Sequence, residues 1–203
     1  MGHTESFRWT VRRAVVVVAA LLVWPVTGAT QTVTGQAAAV RATVFDLLGG
    51  TTAVVLADTG TLQDATDARD AWQITGSVPA LLTGEVLEAT SIGWPDQVDS
   101  GASLGALALS VGGTTIGADS VVAQATALLG AAGSGASFVD NLSINGVPIA
   151  VSGDPNQVLY IVGGRVVINE QQSSLGGMVV NALHVIVDGV ADVVIGSANA
   201  GIQ

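Results

Sequence analysis

Apolar residues along this chain come in short, β-branched runs broken by glycine pairs and by Asn-Gly or Asp-Gly dipeptides, the pattern of strands joined by tight turns. The clearest case is residues 177–202, where two such runs flank Asp188-Gly189. With those two residues as the turn, Val187 faces Val190, Val185 faces Asp192, Leu183 faces Val194 and His184 faces Val193. Gly49-Gly50 separates 40–48 from 51–58 in the same way, Gly112-Gly113 separates 104–111 from 114–128, and Gly163-Gly164 separates 158–162 from 165–169. Asn145-Gly146 divides 142–144 from 147–149, and both of its residues accept the positive φ of a primed hairpin turn.

Repeated hairpins predict an all-β, antiparallel, β-sandwich-like domain. Strict alternation is weak, however. Residues 178–187 are apolar on both faces, which suits a central strand covered on both sides, as in a two-layer sandwich with something lying over one sheet. Alanine-rich 121–132 offers one short helix on propensity. Residues 31–39 are small and polar and predict a flexible lead-in, so the chain divides into a leader over 1–29, a lead-in over 30–43 and a single β-rich domain over 44–203. Between residues 58 and 100 carboxylates concentrate, Pro79 and Pro95 punctuate, and a loop-rich face is expected.

The leader has the three-part form of a secretory signal: Arg12-Arg13, an apolar stretch over 14–26, and small residues around Ala29. That stretch is shorter than the roughly 20 residues of a membrane-spanning helix, so a secreted, extracellular or surface protein with no transmembrane segment after cleavage is expected. The ordinary export route is expected over the twin-arginine one.

Composition narrows the partners. Charged residues make up 11% of the 203, against about 25% in ordinary domains. Lysine and cysteine are absent, and the formal charge is −10. Disulfides, thiolate metal sites and cysteine nucleophiles are therefore excluded. Past the leader only Arg41, Arg69 and Arg165 oppose the carboxylates, a balance that repels nucleic acid. Copies of the chain itself, other envelope components or a cation are the natural partners.

Candidate chemistry is sparse. Asp64, Asp67 and Asp70, spaced to share one face of a helical turn, and Asp58 nearby, are the candidate ligands for calcium, which wants six to eight oxygens. The spacing is not that of an EF-hand. Trp72 and Trp94 offer a platform for stacking sugar rings, with burial beneath a loop as the alternative. His184, the only histidine past the leader, shares its strand face with Val180, Ala182 and Ile186 and reads as structural. Gly101-Ala102-Ser103-Leu104-Gly105 matches the G-x-S-x-G of α/β-hydrolases, with Asp140 or Asp154 and His184 following in the right order, but the match lies in a hairpin and not at a strand-to-helix elbow. Asn141-Leu142-Ser143 fits the N-glycosylation pattern, and Glu170 with its amide neighbours marks the place where a strand is expected to leave its sheet. The chain is thus read as no enzyme. It acts by self-assembly, as a filament or surface-layer subunit, or by adhesion; a glycan- or calcium-binding module is the alternative and a serine hydrolase the third reading.

Residues 103–127, SLGALALSVGGTTIGADSVVAQATA, followed by INGVPIAV (144–151), VVINEQ (166–171), VNALHV (180–185) and DVVIGSANAGI (192–202), resemble the choice-of-anchor P domain of secreted bacterial surface proteins. The resemblance implies a surface domain and brings no catalytic or binding residue with it. Such a protein is expected to carry a C-terminal sorting tail, whereas no LPxTG-like motif follows the last predicted strand. The expected modes of attachment are then release, an uncleaved leader or non-covalent assembly. In the last of these, the lead-in pairs with a sheet edge of a neighbouring copy.

Overall fold

The computed structural model describes residues 31–46 and 49–203. The expected leader lies outside the described residues. Among the described residues thirteen strands form two antiparallel sheets, and there is no helix. Sheet A orders β10 (Gln157–Ile161), β11 (Gly164–Ser174), β12 (Gly177–Val187), β13 (Ala191–Ile202), β1 (Val33–Phe45) and β2 (Thr51–Asp58). Sheet B orders β3 (Ala68–Val78), β4 (Leu82–Gly93), β5 (Gln97–Val111), β6 (Thr114–Leu128), β8 (Ser143–Ile144) and β9 (Val147–Pro148), with β7 (Ser134–Asp140) also on β6. The sheets stack as a sandwich: β13 lies over β5 and β6, β1 over β4 and β5, and β12 over β6 and β7.

Several expectations give way to this arrangement. The lead-in is no flexible arm. Residues 33–45 form β1, hydrogen-bonded to β13 on one side and to the edge strand β2 on the other, inside sheet A. Its small residues serve close approach. A Cβ at Gly35 would come 2.6 Å from both Leu62 Cδ1 and Ser91 Oγ, and Ala37 packs on Ala89 and Ala102 of the other sheet. Alanine-rich 121–132 is strand β6 and a turn, because Val121, Ala123, Ala125 and Ala127 alternate inward where the sheets are too close for larger side chains. Residues 58–100 are mostly strand: the carboxylates Asp70, Glu85 and Glu88 are the outward members of β3 and β4, so an exposed hairpin looked like loop. The Gly112-Gly113 and Asn145-Gly146 turns stand as expected, all four residues with positive φ. The turn before β11 is Val162-Gly163, one residue earlier than expected, since Ile161 pairs with Gly164.

A crease explains the weak alternation. Ala57 on β2, Gly196 on β13 and Asn169 on β11 have φ of 47°, 64° and 54°. They lie level with Ala39 of β1 and Ala182 of β12 in one line across sheet A. Val86 and Ala106, with φ of 48° each, and Asn141, at 51°, mark a similar line in sheet B. A left-handed residue steps the strand out of phase with its pleat, so the inward positions change parity there. On β12 they are Met178, Val180 and Ala182 before the line, then Leu183, Val185 and Val187 after it; on β5, Val98 to Leu104 by twos, then Leu107, Leu109 and Val111. The two apolar faces read for 178–187 are one inward face whose phase slips, and no third layer covers β12 among the described residues.

Candidate functional site

The β12–β13 hairpin closes through three residues, Asp188, Gly189 and Val190. Gly189 has φ 69°, and Val190 N donates to Val187 O at 3.0 Å. The Val190 carbonyl accepts from Phe45 N at 2.9 Å, so this residue serves β1 and drops out of the ladder. Val187 therefore pairs with Ala191, Ile186 with Asp192, Val185 with Val193 and His184 with Val194, each one step from the expected register. A one-residue slip moves a strand's side chains to the other face. Here it sets Asp192 on the outer face of sheet A, beside His184.

His184 is held at both ends. Its Nδ1 lies 2.9 Å from Glu170 Oε2, its Nε2 lies 2.9 Å from Asp192 Oδ1, and Asn181 Nδ2 donates to the same Glu170 oxygen at 2.6 Å. Glu170 reaches it because β11 does not leave the sheet there: Glu170 pairs with Asn181, and β11 continues to Ser174. Before the crease Val180 and Ala182 point inward, so of the three residues expected on the His184 face only Ile186 lies there, together with Asn181. The Glu170 hydrogen bond raises the His184 pKa against the opposing effect of burial, with Asp192 adding to it. The His184 hydrogen bond lowers that of Glu170, again against burial, with help from Asn181. An imidazolium that donates from both nitrogens has no lone pair to act as a base. The cluster ties β11, β12 and β13 together.

The hydrolase residues are not brought together. Ser103 sits mid-strand on β5, facing outward from sheet B opposite Val122, while His184 faces outward from sheet A on the far side of the sandwich. The calcium candidates disperse. Asp58 Oδ1 accepts from Gln36 Nε2 and Gly60 N at 2.9 and 2.8 Å, and its Oδ2 lies 3.8 Å from Arg41 Nη2. Asp64 and Asp67 lie in the loop before β3 and not on a helical turn. Asp64 accepts from Thr66 N and Oγ1 at 2.7 Å each, which lowers its pKa. Asp67 accepts from Gln63 N and Arg69 Nε at 2.8 Å each, which lowers its pKa likewise. Asp70 is on β3, opposite Thr90. No group of three or more His, Asp or Glu among the described residues is arranged to hold a metal ion. Asn141 Nδ2, the glycosylation candidate, donates to Asp119 Oδ2 at 2.7 Å.

Neither tryptophan plugs the core: Trp72 is 67% exposed and Trp94 41%. They form no joint platform, for Trp72 stands opposite Glu88, six residues before Trp94, which follows the end of β4, about 20 Å at strand rise. Trp72 instead begins a row across the outer face of sheet B, Trp72, Glu88, Ser103, Val122 and Phe138, with an exposed aromatic ring at each end. Beside that row two clefts of about 280 and 300 Å³ follow β5, sharing Thr90, Gly101 and Gln124. No protein-family model, curated protein or solved structure matches the chain.

Proposed function

We propose that the chain is a secreted, non-catalytic protein of the cell surface or extracellular matrix that works by self-assembly or adhesion. The observation that carries this reading is the free edge of β3. At 11 residues it is the longest edge strand among those described, and it presents Trp72 and Ile74, the latter 71% exposed. Long edges are ordinarily blunted by lysine, proline or a covering loop. Residues 68–78 contain no proline, and their two charges, Arg69 and Asp70, stand together at the start of the strand, leaving 71–78 uncharged. With β1 paired on both sides inside sheet A, the edge that joins copies is β3, and head-to-tail pairing with the β10 edge, where Tyr160 stands out, propagates without closing. The secretory form of residues 1–29 and the likeness to choice-of-anchor P domains support the same reading.

The test is electron microscopy and size analysis of the purified mature protein at high concentration, with and without calcium. Filaments or oligomers that Ile74→Lys disperses, with the thermal midpoint kept, are the expected result. A monomer that forms no filament under any of these conditions overturns the reading.

A further inference from the structure

The outer face of sheet B carries more than an edge. Asp99, Gly101 and Ser103 form the floor of its clefts, with Glu88 and Thr90 of β4 on one side and Val122 and Gln124 of β6 on the other. Gly101 is not required by the fold. Its φ is not positive, and an added Cβ would meet only the Ala123 carbonyl, at an ordinary 3.6 Å. A glycine inside a strand weakens it and marks a place where something approaches the backbone closely; at Gly101 the protein itself supplies nothing that does. Trp72 rises at the side of this floor with its indole free, and such a ring offers flat apolar area with a polar edge.

Charge selects the occupant. Asp70 neighbours Trp72 on the same face of β3, Glu88 is its cross-strand partner, and neither carboxylate has a hydrogen bond or ion pair among the described residues. Arg69 is engaged by Asp67, so no arginine compensates them. We propose that this face binds a cationic amino-sugar polymer, a chain of glucosamine units. One sugar ring stacks on Trp72, its ammonium lies between Asp70 and Glu88, and the next units run over Gly101 and Ser103. Uronic acids and phosphates are repelled by the same carboxylates. A neutral sugar leaves the two charges unpaired on binding.

Calorimetry with a glucosamine hexamer, its fully N-acetylated counterpart and polylysine of matched charge tests this. The expected result is binding of the free amine form at least about tenfold tighter than either comparison, weakening as salt is raised. Trp72→Ala and Gly101→Val each lower that affinity at least about tenfold, while Tyr160→Ala on the edge of sheet A leaves it unchanged. Because Gly101→Val enlarges a strand residue, Glu88→Gln serves as a second probe, and it must narrow the preference for the amine over the N-acetyl form. Absence of glucosamine binding overturns the proposal, as does equal binding of the N-acetylated hexamer or of polylysine, or indifference to Trp72→Ala. Because Trp72 lies on the same strand as the assembly edge, the measurements are made on Ile74→Lys, in which pairing at β3 is blocked, so they stand or fall apart from that assembly.

Discussion

His184 and Asp192 meet diagonally across the β12–β13 hairpin, Nε2 to Oδ1 at 2.9 Å, and they do so because Val190 is left out of the ladder. A two-residue turn would place Asp192 on the other face of the sheet. The contact is thus a reporter of the turn.

Stability should follow the charge of this cluster. The raised His184 pKa contributes stability that is fully present below its ordinary 6.5 and is lost as pH rises through the raised value. The lowered Glu170 pKa contributes stability present above its ordinary 4.5 and lost as pH falls through the lowered value. The contribution is therefore greatest between those two ordinary values. Urea denaturation of His184→Gln at about pH 6 should show a loss of roughly 1–3 kcal/mol, shrinking at a second, higher pH above the raised value, where the wild-type imidazolium has deprotonated. Equal losses at both pH values would assign the cluster no charge.

Deleting Val190 tests the turn itself. The shortened loop forces a one-residue slip that swings Asp192 toward the core and removes the acceptor of Phe45 N. A buried, unpaired carboxylate costs several kcal/mol, so the variant should lose most of its stability or fail to fold. An unchanged urea midpoint, with the pH dependence of His184 intact, would mean that the hairpin does not set its register through this residue.

The crease makes opposite predictions at two of its positions. Val86 is β-branched, exposed and left-handed, a conformation that costs about 1–2 kcal/mol and that asparagine tolerates better. Val86→Asn should raise stability by about 1 kcal/mol. At Gly196, with φ 64°, an added Cβ meets Ala182 Cβ at 3.3 Å and Val121 Cγ1 at 3.5 Å. Gly196→Ala should lower stability by about 1–3 kcal/mol through backbone strain and crowding together. Thermal midpoints of the two variants decide both.

Gly35→Ala asks whether β1 is central. Its Cβ would enter the space of Leu62 Cδ1, Ser91 Oγ and Val98 Cγ1, the last at 2.9 Å. A loss of about 1–3 kcal/mol is expected. A flexible lead-in would tolerate the change with no shift in midpoint.

Hairpins were legible because glycine and asparagine in turns obey local rules: Gly112-Gly113 and Asn145-Gly146 end strands where their backbone chemistry says they must. Register at Asp188-Gly189 was not, since the third loop residue is fixed by Phe45, more than a hundred positions away. The role of residues 33–45 was hidden for a related reason. Glycine and alanine look alike whether they are loose or tightly packed, and only the partner strand distinguishes the two. The same distance in sequence concealed the cluster around His184, where Glu170 and Asp192 come from separate strands. Trp72 could be singled out from its composition alone, but its neighbours Glu88, Ser103 and Val122 become a row only through strand pairing.

The pairing of β1 with β13 has a consequence in time. Val33 pairs with Ile202 and Val44 with Ala191, so the earliest strand of the sandwich takes its main partner from the latest. A chain still emerging has β1 and β2 and can build the hairpins of sheet B, but sheet A lacks its middle until the final strand is synthesised. Closing sheet A therefore waits on a pairing between segments about 150 residues apart, the kind of long-range contact that slows folding.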